Sequence, residues 1–154
     1  MKRLVYVFGI TLLLVGCKTT AKVGGNKGVM MDYGSPRVKQ ELVNDQMFLI
    51  EKYATDKTYG YTQKNPIMVG KESGGPKDER RFLNALAGPN GEQISYQRLG
   101  SCCGFITKNG LYSDSGLLDK YEVTYKGLNK PIILYINMYD SDVLQVPVGF
   151  TLRK

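Results

Sequence analysis

The side chains with the most distinctive chemistry in this 154-residue chain are its three cysteines. Cys17 lies near the start, while Cys102 and Cys103 stand side by side within Gly100-Ser101-Cys102-Cys103-Gly104. Histidine and tryptophan are absent. Without histidine there is no Ser-His-Asp or Cys-His activation of a nucleophile and no imidazole acid–base chemistry, and most zinc and iron sites are excluded. Asp, Glu, Lys, Tyr and Cys remain for any catalysis. A second constellation is Gly75 with Lys77, Arg80 and Arg81, at the start of a helical pattern. Free N–H groups at a helix start, with cations nearby, hold phosphate or carboxylate. Asp78 and Glu79 sit at that same positive end and oppose an anion, so a capped amphipathic helix with a solvated basic face is the competing reading. No Walker or Rossmann spacing is present, and neither a cofactor nor a metal is expected.

Cys17 has a context of its own. Lys2 and Arg3 precede an apolar run from Leu4 to Leu14, broken only by Gly9 and Thr11, and Leu14-Val15-Gly16-Cys17 follows. The run is too short to span a bilayer and reads as a secretory leader. It resembles the lipobox of bacterial lipoproteins. That resemblance implies that residues 1–16 are a signal peptide and that Cys17 is acylated and becomes the mature N-terminus. Several acyl chains give essentially permanent attachment. Lys18 follows in place of the Asp that retains such lipoproteins at the inner membrane, and no acidic residue appears before Asp32. The expected location is therefore the outer membrane, lipid-anchored, with the domain facing the periplasm.

In that oxidising compartment two persistent free thiols need burial or each other. Adjacent Cα atoms lie about 3.8 Å apart across a trans peptide, below the usual disulfide range of roughly 4.4–6.8 Å. Three readings of Cys102 and Cys103 stay open: a vicinal disulfide shaping a turn, a buried thiol pair, or a redox or intermolecular role.

The elements that must position these groups follow from pattern. Removing residues 1–16 leaves 138, one domain plus a tether. The net charge of +7 includes Lys2 and Arg3, so the mature side chains carry +5. That sign suits anionic headgroups, cell-wall polymers or acidic partners. No nucleic-acid module is recognisable. Residues 17–36 read as a lipidated tether rich in Gly, Lys, Thr and Ser, and residues 37–154 as a single domain. Val43, Met47 and Ile50 follow helical spacing, so a helix is expected within 37–53, although Met47 to Ile50 also suits a short strand. Pro66 to Gly70 reads as a strand. Pro76 begins a helix, with Asp78 and Glu79 in its first turn and Gly88-Pro89 ending the run.

Beyond it the period changes to two. Asn90-Gly91 and Asn109-Gly110 signal turns, with strands expected over 93–99 and 104–108. Tyr121, Val123 and Tyr125 alternate with polar residues, and the apolar run 131–139 reads as the central strand. Residues 143–152 read as an interrupted strand. The expected fold is α+β: a mostly antiparallel sheet of about five or six strands with one or two helices packed on it. The tyrosines at 59, 61, 96, 112, 121, 125, 135 and 139 offer a sugar- or peptide-binding surface, though packing across the sheet explains them more economically.

The segments Tyr59-Gly60-Tyr61-Thr62-Gln63-Lys64-Asn65-Pro66-Ile67, the helix from Gly75 to Leu86, Arg98-Leu99-Gly100-Ser101-Cys102-Cys103 and the tail from Leu117 to Phe150 carry a further resemblance. Together they resemble a family of small bacterial lipoproteins labelled 2-dehydro-3-deoxyphosphooctonate aldolase. The enzyme of that name is a (β/α)₈ barrel of typically about 250 residues. Without residues 1–16 this chain is about half that size, and it shows no repeated βα units. None of that enzyme's catalytic residues maps onto these positions, so the resemblance implies the lipoprotein family and not the reaction.

The expectation is a non-enzymatic accessory or binding module of the cell envelope, held to the membrane by its lipid and meeting an envelope protein or cell-wall partner. One alternative is an enzyme of phosphorylated-sugar metabolism, which needs Lys77, Arg80, Arg81 or Arg98 to converge with Asp78 or Glu79 in a cleft. Another is a thiol redox protein using Cys102 and Cys103.

Overall fold

The computed structural model describes residues 30–70 and 74–154. The leader, Cys17 and residues 18–29 of the tether lie outside the described residues. No helix among the described residues is long and apolar enough to cross a membrane.

Among the described residues, eleven strands and one helix follow in order. They are β1 (Met31–Asp32), β2 (Leu42–Asn44), β3 (Met47–Phe48), β4 (Lys52–Tyr53), β5 (Ile67–Met68), α1 (Pro76–Asn84), β6 (Leu86–Ala87), β7 (Ile94–Ile106), β8 (Ser115–Tyr125), β9 (Ile132–Asn137), β10 (Gln145–Val146) and β11 (Thr151–Leu152). Strands hold 43% of the described residues and helix 7%, which overturns the α+β expectation: the described part is mostly β. Its main sheet curls and runs β1-β7-β8-β9-β5. The sheet is mixed, because β1 lies parallel to β7 and β5 parallel to β9, while β7, β8 and β9 are antiparallel. Three two-stranded ribbons, β2–β3, β4–β10 and β6–β11, complete the structure.

Several local expectations change with the class. Residues 37–53 form a small hairpin and not a helix. Phe48 and Ile50 are buried while Leu49 between them is exposed, so the period there is two, and Val43 points to solvent. The strands expected over 93–99 and 104–108 are one continuous strand, β7, carried across the Gly100–Gly104 stretch by two register shifts. The central strand is β8; β9 has β8 on one side and only the two-residue β5 on the other. The tail is two separate two-residue strands pairing with β4 and β6. Residues of the segment read as tether enter the sheet, since Met31 and Asp32 pair with Phe105 and Ile106.

The helix forms where its signals put it. Pro76 occupies the first turn, where its missing N–H costs nothing, and Asp78 and Glu79 face the positive end. Gly75 precedes it at φ 33°, and a Cβ there would stand 2.6 Å from Met138 Sδ, so only glycine lets the helix start this close to the end of β9. Phe82 and Leu83 are wholly buried against a core that includes Phe48, Ile67, Tyr121, Val123, Leu134 and Ile136. A second apolar centre forms around Phe105, whose ring meets those of Tyr33 and Tyr139.

Candidate functional site

The densest constellation of chemically capable side chains lies where α1 crosses β7 and β8. Residues three apart on a regular strand point to opposite faces. Between Arg98 and Gly100 the register slips by one residue, so Arg98 stands opposite Tyr121 and Ser101 opposite Asp119. Both side chains therefore reach the same carboxylate. Arg98 Nε donates to Asp119 Oδ2 at 2.6 Å and Nη2 to Oδ1 at 2.8 Å, a two-point fork. Ser101 Oγ donates to Asp119 Oδ1 at 2.6 Å and accepts from Arg98 Nη2 at 2.7 Å. From the helix, Glu79 Oε2 accepts from Tyr121 Oη at 2.8 Å. Glu79 Oε1 is buried with no donor facing it.

The two carboxyls take opposite electrostatic roles. Burial pushes Glu79 up to about 8, the neighbouring Asp119 charge adds to this, and the Tyr121 hydrogen bond only partly offsets it. Burial also works against ionisation of Asp119, yet the hydrogen bonds from Arg98 and Ser101, with the Arg98 charge, hold it below the usual carboxylate range. Glu79 is thus a protonated acid at neutral pH, and its proton serves Asp119. Tyr121 is raised by burial and by Glu79, and stays a donor. The arrangement is an acid–base relay in composition, but Glu79 is 0% exposed, Asp119 2% and Tyr121 3%. A substrate has no contact with the protonated acid; only Arg98 and Ser101 reach solvent.

The residues read as an anion site are placed differently. Lys77 and Arg81 both reach Asp45 in the β2–β3 turn, Lys77 Nζ at 2.9 Å and Arg81 Nη2 at 2.8 Å. Arg81 Nη1 meets Asp78 Oδ1 at 2.8 Å, and Arg81 Nε donates to the Asp45 carbonyl at 3.0 Å. The hydrogen bonds from Lys77 and Arg81 hold the Asp45 carboxyl below its ordinary value. These cations fasten the helix to the hairpin. Gly75 is buried at the helix start and Arg80 is exposed. Arg98 belongs to the other cluster, so the four cations do not meet in one cleft.

Cys102 and Cys103 are bonded to each other as a vicinal disulfide at the second register shift of β7. Both are half-buried, and Cys103 adopts φ 54°. The bond directly follows Ser101, so it borders the Asp119 cluster along the chain.

An open groove of about 940 Å³ lies elsewhere, between the end of α1, the start of β7 and the C-terminal residues. Tyr53, Tyr96, Asn84, Asn90, Gln93 and Arg153 are among its lining. Tyr96 Oη donates to Asn84 Oδ1 at 2.7 Å, and Asn84 Nδ2 donates to the Gln46 carbonyl at 3.0 Å, so these two side chains are held in place. Leu83, Leu86 and Ile94 form its apolar floor. Among the described residues no group of three or more His, Cys, Asp or Glu is disposed to hold a metal.

Sequence reasoning passed over Asp119, and a signal existed. A carboxylate inside Gly116-Leu117-Leu118-Asp119-Lys120-Tyr121 needs a buried partner. Nothing local names that partner, because Arg98 is 21 residues away and Tyr121 meets Glu79 across 42. Comparisons with protein-family models, with curated proteins and with solved structures find no match to the chain.

Proposed function

We propose that the chain is a membrane-anchored periplasmic lipoprotein, attached to the outer membrane through Cys17, that acts as a non-enzymatic accessory or binding module of the cell envelope. What supports this reading is a contrast within the domain. The acids of its strongest acid–base constellation, Glu79 and Asp119, are buried, whereas its 940 Å³ groove is lined by tyrosine, amide and cationic side chains suited to holding a ligand. Tyr53 and Tyr96 offer apolar ring faces with polar tips, and Asn90 and Gln93 offer both donors and acceptors. Arg153 and Lys154 give the rim a positive sign that fits an acidic partner or polymer.

Because the C-terminal residues line the groove, a tag there would block it. The test is a photo-reactive residue at position 53 in intact cells, with position 126 as an exposed comparator. The expected result is one dominant adduct at 53, lost when Arg153 is changed to Glu. Equal or absent adducts at the two positions would overturn the reading.

A second reading, thiol redox chemistry at Cys102 and Cys103, is favoured by the half-buried bond beside Ser101. Alkylation under native conditions, before and after mild reductant, separates it from a purely structural bond.

A further inference from the structure

At the far end of the β7–β8 hairpin the chain exposes large apolar side chains that contribute nothing to its core. Tyr112 is 100% exposed, Leu111 59%, Leu117 48% and Met30 44%. They are contiguous: with Tyr139, they border one shallow concavity of about 270 Å³. The surface is held in shape from beneath. Phe105 packs between Tyr33 and Tyr139, and a Cβ on Gly116 would stand 2.6 Å from Phe105 Cζ, so the sheet lies tight against these rings. Patches of this kind on a small domain mark contact with a partner or a membrane.

The occupant is indicated by where the chain enters. Met30 is itself part of the patch and is the first described residue. Only thirteen peptide steps separate it in sequence from Cys17. Fully extended they reach at most ~45 Å, and a typical chain of that length spans about 20 Å. A lipid on Cys17 would therefore hold Met30, and the patch it belongs to, within that reach of the bilayer. Between Cys17 and Asp32 the charged side chains are Lys18, Lys22 and Lys27, with no acid among them. In the hairpin itself Lys108 is balanced by Asp114, so the basic sign beside the patch comes from those three lysines. Basic residues beside an apolar surface suit an anionic leaflet, and a tyrosine suits its interface.

We propose that the β7–β8 hairpin, through Leu111, Tyr112, Leu117 and Met30, seats the domain on the anionic phospholipid leaflet that holds its anchor. This rests on the lipoprotein reading. Seating here fixes the orientation of the domain on the membrane, a second contact beyond the acyl chains.

The absence of tryptophan supplies the test. The full chain, produced with its leader, carries Tyr112→Trp or Tyr53→Trp as its only tryptophan and is placed in nanodiscs containing acyl-brominated anionic phospholipid. Intact mass reports whether Cys17 is acylated. The expected result is an acylated chain in which the indole of Tyr112→Trp is blue-shifted and quenched several-fold more than that of Tyr53→Trp, with the difference abolished by Leu117→Asp. Acylation with equal quenching at the two sites overturns the docking and leaves the lipoprotein reading intact. An unmodified Cys17 removes both. A blue shift in the Tyr112→Trp chain that follows protein concentration in lipid-free detergent would assign the patch to a second copy of the chain and overturn the membrane contact.

Discussion

Tyr121 Oη donates to Glu79 Oε2 at 2.8 Å while the other oxygen of the same carboxyl is buried and faces no donor. The pair makes sense only with the proton on Glu79. An ionised Glu79 would leave one oxygen bare and set two carboxylates side by side, whereas the neutral acid can give its hydrogen to Asp119, itself saturated on its other side by Arg98 and Ser101. A buried acid of this kind couples folding to pH.

The sign is set by Glu79. Its carboxyl titrates at about 8 in the fold against 4.5 when unfolded. Between those values the folded chain holds a proton that the unfolded chain has released, so stability is full below pH 4.5 and is lost as pH rises through 8. The decline is at most on the order of 5 kcal/mol across the window. Glu79→Gln keeps an acceptor for Tyr121 and a donor for Asp119 without a titrating group. The expected outcome is a variant close to wild type at pH 5 and more stable than it at pH 8, measured by urea unfolding at both values. A wild type that gains stability from pH 5 to 8 would refute the assignment.

Arg98 acts in the opposite sense. Asp119 is held ionised by the Arg98 fork, and its contribution is present at neutral pH and lost as pH falls through its lowered value. Arg98→Met leaves a buried carboxylate with only the Ser101 hydroxyl and the Glu79 acid as donors. Because the Arg98 side chain is 46% exposed, the cost falls below that of a fully buried pair, at about 2–3 kcal/mol. Arg98→Lys recovers part of it through a single contact. The difference from wild type should shrink as pH falls and Asp119 takes up a proton, first in the variant that lacks the fork; chemical denaturation at neutral and at acidic pH reads both.

How much of this was legible in the chain depends on range. The helix could be read because its signals are consecutive: Pro76, then Asp78 and Glu79, then Phe82 and Leu83. The alternation of Tyr121 and Val123 likewise marked β8. Residues 37–53 failed because β2, β3 and β4 are two or three residues long, too short for a period to appear. Parallel edges were hidden for another reason. Met31 pairs with Phe105 and Ile67 with Ile136, across distances at which no local pattern operates. The site divided in the same way. Cys102 and Cys103 announced themselves as neighbours, but Arg81 gave no hint that a second carboxylate beyond Asp78 would be Asp45, 36 residues back. The slip at Gly100, which turns Ser101 towards Asp119, is a backbone event that residue spacing does not encode.

The disulfide should matter more to local order than to global stability. Its ring closes between adjacent residues, so it removes little freedom from the unfolded chain, and losing it costs less than about 1 kcal/mol. The suitable variant is Cys102→Ala with Cys103→Gly, since position 103 has φ 54° and alanine there would add a backbone penalty of its own. We expect neither thiol to react with an alkylating agent before reduction, and an unfolding midpoint nearly unchanged in the double variant. Faster amide exchange at 100–104 should accompany it, as Ser101 loses the rigid turn that aims it at Asp119. A large loss of stability would show the bond to be a structural staple.

Asp140 governs the hairpin that carries Tyr112. Its Oδ1 accepts from Thr107 Oγ1 at 2.5 Å and from Asn109 Nδ2 at 2.7 Å, and its Oδ2 accepts from Asn137 Nδ2 at 2.8 Å. Asn109 in turn accepts from Arg37 Nε at 2.7 Å. One buried carboxylate thus ties the loop after β7 to the end of β9 and, through Asn109, to the chain entering near residue 37. Asp140→Ala removes the acceptor of Thr107 and Asn137 in the interior and weakens the hold on Asn109, which keeps its contact to the Ser35 carbonyl, and should cost about 2–3 kcal/mol. Asp140→Asn keeps the shape but turns an amide N–H₂ towards one of the donors, so it should recover only part of the loss. The loss should be greatest where Asp140 acts: amide exchange across 107–114 should rise in Asp140→Asn well before that of β8 and β9. Uniform acceleration over the whole sheet would show that Asp140 supports the core rather than the hairpin.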